Sequence, residues 1–162
     1  MLTFRDARGS EADELLTNSL AAFVDELVEQ GADRDRAADA TDEYTHRLMP
    51  DGIGTTGHRF RWIDRAGIQV GWLWHGPMPG SPGDHYLFEI EVDEDARRTG
   101  VGRQAIQMLI GEVERTGAAR LGLNVFDSNS EGLALYRSLG FETVDQRNGQ
   151  HEMWRRLSTP DP

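Results

Sequence analysis

The run Arg97-Arg98-Thr99-Gly100-Val101-Gly102-Arg103 has the residue types and the spacing to hold a phosphorylated ligand. Two glycines let the backbone come close to a bound group, and arginines flank them. The segment Gln104 to Val113 that follows has the pattern of a helix whose N-terminus would face an anion. A pyrophosphate-bearing cofactor is the natural occupant. Just upstream, Glu89 and Glu91 share one face of a strand predicted over His85 to Val92, whose other face carries Tyr86, Phe88, Ile90 and Val92. If that strand is central, both of its faces are covered and at least one carboxylate is enclosed. Two carboxylates at i and i+2 repel, and partial burial then raises the pKa of one of them, which suits a general base.

The elements that must position these groups follow from periodicity and turn residues. Met1 to Arg8 reads as a short strand, and Ser10 with Asp13 as a helix start before the apolar-periodic run Leu15, Leu16, Leu20, Phe23, Leu27 and Val28. Gly31 stops that helix, and Asp33 can cap a second, more polar one that ends in the turn Met49-Pro50-Asp51-Gly52. Gly57 to Asp64 and Ile68 to His75 read as a hairpin turned at Arg65-Ala66-Gly67, and Gly76 to Asp84 as a loop. After the cradle, Val101, Ala105, Met108, Leu109 and Val113 form one helical stripe. Ala119 to Phe126 is a strand, Ser130 to Leu139 a short helix, and two strand segments flank Asn148-Gly149.

Composition excludes several classes. A chain of 162 residues is long enough for one domain with a full core, and nothing marks a second core. The hydrophobic fraction of 38% is ordinary, and no apolar run approaches membrane-spanning length or has a signal-peptide start, so a soluble, cytoplasmic protein with no membrane partner is expected. Without cysteine there is no thiolate nucleophile and no zinc-thiolate site, and His46, His58, His75, His85 and His151 show no metal-ligand spacing, so no metal is expected. A net charge of -11 disfavours nucleic acid and mildly favours a cationic substrate.

Val92, then Arg97-x-x-Gly100-x-Gly102, Leu123-Asn124-Val125, Asn129 and Leu135-Tyr136-x-x-x-Gly140-Phe141 resemble, in order and spacing, the GNAT superfamily of acyl-CoA-dependent N-acetyltransferases. More narrowly, Leu48-x-Pro50-Asp51-Gly52, Gly57-His58, Val70 to Trp74 and Asn124-Val125-Phe126 resemble a bacterial subgroup of that superfamily without an agreed substrate. A Rossmann nucleotide fold can also show Gly100-x-Gly102-x-x-Ala105, but its glycine turn follows the strand directly, near the start of the domain.

The resemblance implies an α/β (α+β) fold, with a central mixed, mostly antiparallel sheet flanked by helices, whose fourth and fifth strands splay apart around the cofactor's pantetheine arm. It implies one domain over residues 1–162: a strand and substrate-side helices in 1–50, the sheet and acetyl-CoA core in 51–157, and a frayed tail at 158–162. Acetyl-CoA would be the co-substrate, held by backbone groups near Ile90 and Val92, by the cradle Arg97, Arg98, Thr99, Gly100, Val101, Gly102 and Arg103, and by Asn124 and Asn129. The reaction implied is acetyl transfer to a primary amine by direct attack. Glu89, nearer the amine pocket than Glu91, would be the base, and Tyr136 the acid that protonates the thiolate, although helix periodicity alone reads Tyr136 as core. Asn129 could equally cap its helix. Asn124, an amide in an apolar strand, requires a partner: cofactor, water or the adjoining strand. His58, Trp74 and Glu91 are reserve substrate contacts, against core or solvent roles. A small-molecule or peptide amine is the expected partner, and a homodimer through the final strands is compatible but not required. The competing readings are a non-catalytic acyl-CoA sensor and a nucleotide-dependent oxidoreductase.

Overall fold

A computed structural model describes residues 1–158. Its strands are β1 (Leu2–Asp6), β2 (Arg59–Arg65), β3 (Ile68–Pro77), β4 (Asp84–Val92), β5 (Arg120–Phe126), β6 (Glu142–Arg147) and β7 (Gln150–Arg156). Its helices are α1 (Ser10–Glu29), α2 (Arg34–Leu48), α3 (Val101–Arg115) and α4 (Ser130–Ser138). The strands form one sheet in the order β1-β2-β3-β4-β5-β7-β6, and among the described residues β4–β5 is its one parallel pair. Among the described residues, no helix is long and apolar enough to cross a membrane.

Local sequence explains most boundaries. Asp33 caps α2 by accepting from the Arg36 backbone N–H at 3.0 Å. The start of α1 differs from expectation: Ser10 is its first helical residue, and Gly9, with φ at 58°, precedes it without any side-chain cap. Glu11 and Asp13 in the first turn supply favourable charge for the helix dipole instead. Asn148 and Gly149, with φ at 54° and 72°, make the tight turn between β6 and β7 that an Asn-Gly pair favours. The cradle helix begins at Val101, three residues before the expected start.

Each face of the sheet carries its own core. On one side Leu73, Leu87, Leu121 and Leu123 pack under Ala105, Ile106 and Leu109 of α3 and Leu133 and Tyr136 of α4. On the other, Phe60, Trp72 and Trp74 pack under Ala12 and Leu15 of α1, with Leu48 and Met49 at the end of α2. This division corrects the expected alternation of β4. Trp74 pairs with Glu89 but His75 with Leu87, so Phe88 is the extra residue of a β-bulge. The bulge resets the pleat. Phe88 stacks on Trp74 with ring centroids 4.7 Å apart on the α1 side, whereas Leu87, Ile90 and Val92 face the α3 side.

The β4–β5 ladder ends at Leu87 opposite Leu123, although β4 runs on to Val92 and β5 to Phe126. The two strands therefore part in mid-sheet, as the resemblance implies. Leu157, the last residue before the expected tail, is buried; of the tail itself the Ser158 N–H donates to Glu114 Oε1 at 3.1 Å, and residues 159–162 lie outside the described residues.

Candidate active site

The gap between β4 and β5 leads into a groove of about 410 Å³ whose wall includes Ile90, Val92, Arg97, Arg98, Gly100 to Arg103, Asn129 and Tyr136. Gly100, in the left-handed conformation at φ 87°, is the residue that turns the loop into α3. Among the described residues, none of the backbone N–H groups from Arg98 to Arg103 donates to a backbone carbonyl; the first helical donor is Gln104, to Gly100 at 3.0 Å. A Cβ on Gly102 would meet the protein only at Leu135 and Val92, at 3.7 and 3.9 Å, so the packing does not demand glycine there. Free N–H groups at a helix N-terminus beside an open glycine fit a pyrophosphate.

The cradle side chains are more committed than their positions suggest. Arg97 Nε donates to the Val92 carbonyl at 2.9 Å, which ties the loop to the strand end. Arg98, an exposed side chain on a backbone with φ at 61°, is ion-paired to Glu131 at 3.2 Å, and Arg103 donates to Ser138 Oγ at 2.8 Å. The Thr99 hydroxyl donates to the Ala96 carbonyl at 2.5 Å and accepts from Arg65 at 2.9 Å. Thr99 thus closes the loop with its side chain and is absent from the groove wall.

Where the strands part, Glu89 and Tyr136 line one cavity of about 190 Å³ with Phe23, Phe126, Asn124 and Gln150. Ile90, Asn129 and Tyr136 line both this cavity and the cradle groove, so the two adjoin. Glu89 is half-buried and accepts from Ser19 Oγ of α1 at 2.8 Å. Burial is the main cause that raises its pKa, with the Glu91 charge adding to it and the Ser19 and Ile90 hydrogen bonds opposing. Tyr136 is buried, and its phenol is pushed up to about 12 by burial and by the Glu89 carboxylate. Glu91, on the same sheet face, is exposed and accepts from Trp72 Nε1 at 3.4 Å.

The remaining candidates separate by location. Asn129 caps α4, its Oδ1 accepting from the Gly132 N–H at 2.9 Å, while its side chain still borders the groove. Asn124 finds its partner on the adjoining strand, donating to Gln150 Oε1, and lies outside the cradle groove. Trp74 is sandwiched between Phe60 and Phe88 with centroids 5.2 and 4.7 Å away, which makes it core. His58 is buried beside it and accepts from Trp74 Nε1 at 3.1 Å; burial, then His85, lowers its pKa to about 4. Neither residue lines the cavity of Glu89 and Tyr136. Sequence reasoning missed Ser19, Phe23, Phe126 and Gln150. Ser19 carried a signal, as a small polar residue one turn after Leu15 on a buried helix stripe.

The model of the acetyltransferase (GNAT) family matches residues 21–141. The chain belongs to that family. Within it, the [ribosomal protein bS18]-alanine N-acetyltransferase of Escherichia coli K12 is 49% identical over 63 residues, which are 38% of this chain and 43% of that protein. YycN of Bacillus subtilis 168, an uncharacterised N-acetyltransferase, is 30% identical over 101 residues, 60% of this chain and 64% of that protein. These alignments thus span less than two thirds of either relative. The crystal structure of YycN superposes with a TM-score of 0.79 over 91% of this chain and 96% of that one, at 24% identity. The PaiA N-acetyltransferase of Thermoplasma acidophilum, solved with coenzyme A, gives 0.67 over 97% and 99%, at 12% identity. Both likenesses show that the fold is the one these acetyltransferases share.

Proposed function

We propose that this GNAT protein transfers an acetyl group from acetyl-CoA to a primary amine by direct attack in a ternary complex, as one catalytic domain. The observation that carries the reading is the joint lining of one cavity by Glu89 and Tyr136, which adjoins the cradle groove at Ile90, Asn129 and Tyr136. Acetyl-CoA supplies the acetyl group as a thioester. The free N–H groups of Arg98 to Arg103 hold its pyrophosphate, and the unpaired β5-facing edge of β4 near Ile90 offers backbone groups to the pantetheine arm and the thioester carbonyl. The arginines contribute positive charge around that pocket while keeping their protein partners.

In the proposed step the amine nitrogen bonds to the acetyl carbon and the carbon–sulfur bond breaks. Glu89, directly or through one water, takes the amine proton, and its raised pKa makes it a stronger base than an ordinary carboxylate. Tyr136 donates to the departing sulfur. A phenol at about 12 is a weak acid toward a thiolate, whose conjugate acid lies near about 8.5. The Glu89 charge is one of the two causes of that high value, so protonation of Glu89 by the amine makes Tyr136 more acidic at the moment the sulfur departs. Proton gain at one residue and proton loss at the other are thereby coupled.

Thiol release from acetyl-CoA across a panel of amines tests the reading. Turnover with at least one primary amine, lost in Glu89→Gln and Tyr136→Phe, is the expected result. Tight coenzyme A binding with no thiol release from any amine would favour a non-catalytic acyl-CoA sensor.

A further inference from the structure

The cavity of Glu89 and Tyr136 shares Asn124 and Gln150 with a second cavity of about 440 Å³, walled by β4, β5 and the β6–β7 hairpin. Three of its polar residues form one cross-strand row: Asp145 on β6 lies opposite Glu152 on β7, which lies opposite Asn124 on β5. Their commitments differ. Asp145 is ion-paired to Arg147 at 2.6 Å, so these two charges offset each other. Asn124 is tied to Gln150. Glu152 accepts from Trp154 Nε1 through Oε1 at 2.9 Å, and its Oε2 has no partner among the described residues. One carboxylate charge is left uncompensated in the wall.

Tyr86 supplies an independent observation. It is only 7% exposed, it lines this cavity, and its hydroxyl makes no hydrogen bond among the described residues. That hydroxyl is not among the fully buried polar atoms left without a partner, so it opens onto the cavity and is free to meet a ligand there. Burial, with Tyr44 and Glu152 nearby, raises its pKa, so it stays a neutral hydroxyl whose lone pairs can accept from a cation.

We propose that this cavity binds a second ammonium group of the acceptor, with Glu152 as counter-ion and the Tyr86 hydroxyl as hydrogen-bond partner, so that the acceptor is a diamine. An anionic group there would meet the Glu152 charge, and an apolar one would leave both polar groups unpaired. The inference rests on the acetyl-transfer reading. It adds that one amine reacts beside Glu89 while the other is held by Glu152.

The test compares 1,4-diaminobutane with butylamine at fixed ionic strength, by kcat/KM at saturating acetyl-CoA and by calorimetric titration of the coenzyme A-saturated protein. The diamine is expected to win by about tenfold or more in both readouts, the scale of a charge-assisted hydrogen bond. Glu152→Gln, an isosteric change, should collapse that preference while leaving butylamine unaffected, and Tyr86→Phe should reduce it several-fold. Equal binding and turnover of the two amines in the wild type would overturn the diamine site and leave acetyl transfer standing. A Glu152-dependent preference in binding, without turnover, would support the site and sink the transfer reading. Failure of both amines in both readouts would overturn the diamine site, while the wider amine panel decides acetyl transfer.

Discussion

The Glu89 carboxylate and the Tyr136 phenol occupy one cavity at the split between β4 and β5, and the charge of the first raises the pKa of the second. The bulge at Phe88 makes this possible. By resetting the pleat it places Leu87 and Ile90 in the core beneath α3 while Glu89 turns toward Ser19 of α1. One strand thus lines the hydrophobic core with some residues and presents a carboxylate to the cavity with another.

Replacing Glu89 by glutamine should lower kcat by about 10²- to 10⁴-fold, the range for loss of a general base, with little change in the KM for acetyl-CoA. The same variant should titrate Tyr136 at lower pH, because the neighbouring charge is gone. Spectrophotometric tyrosine titration, with Tyr136→Phe to assign the signal, reads this directly. An unshifted phenol would break the proposed coupling.

Stability should move opposite to activity in that variant. Folded Glu89 keeps its proton to higher pH than the unfolded chain does, so its ionisation disfavours the folded state. The penalty is absent below the ordinary carboxylate range and complete above the raised folded pKa. Glu89→Gln, whose amide oxygen can still accept from Ser19, should therefore melt higher than the wild type at neutral pH. The advantage should fade on acidification. Thermal melts at neutral and acidic pH check both signs.

Two glycines of the cradle should fail differently. At Gly102 a side chain meets only ordinary contacts within the protein, so Gly102→Val should fold with a modest penalty, yet lose coenzyme A affinity by an order of magnitude or more as bulk enters the groove. At Gly100 the φ of 87° strains any side chain, so Gly100→Val should lose about 1–3 kcal/mol of stability as well. Calorimetry with coenzyme A and thermal melts separate the two. Unchanged affinity in Gly102→Val would remove the cradle from the cofactor site.

Acid should unfold the protein through its buried histidines. His75 Nδ1 and His85 Nε2 lie 2.7 Å apart, and His75 Nε2 is buried without a partner. Burial, then the charge of His85, brings His75 down to about 2, while burial brings His85 to about 4. Both stay neutral when folded, whereas the unfolded residues protonate near about 6.5. Stability is therefore complete above that pH and is lost as pH falls toward the folded values. The melting temperature should drop between pH 7 and pH 5, and His85→Gln should flatten that slope. Identical slopes would exclude the pair as its cause.

Much of this was legible in one dimension because it depends on local chemistry. Helix stripes, the Asp33 cap, the Asn148-Gly149 turn and the glycine-arginine cradle are set by residues within a few positions of each other, and the structure places them close to where periodicity does. The sequence is silent where a partner lies far along the chain. The Thr99 hydroxyl is met by Arg65, from another strand, which leaves its backbone N–H for a ligand, and of the three partners open to Asn124 the structure supplies Gln150 across the sheet. Trp74 was a reserve substrate contact until Phe60 and Phe88 closed over both of its faces.

The sequence by itself determined the family and singled out the loop and the two residues proposed for donor binding and the chemistry, since these rest on identity and spacing. Only the tertiary structure decided which side of the sheet each β4 residue faces, because a single bulge reverses the pleat and bulges are settled by packing against both layers. The tertiary structure also decided what stands beside Glu89. Its pKa follows from Ser19, Glu91 and the surrounding burial, and burial is a property of the folded molecule that spacing along a chain does not carry.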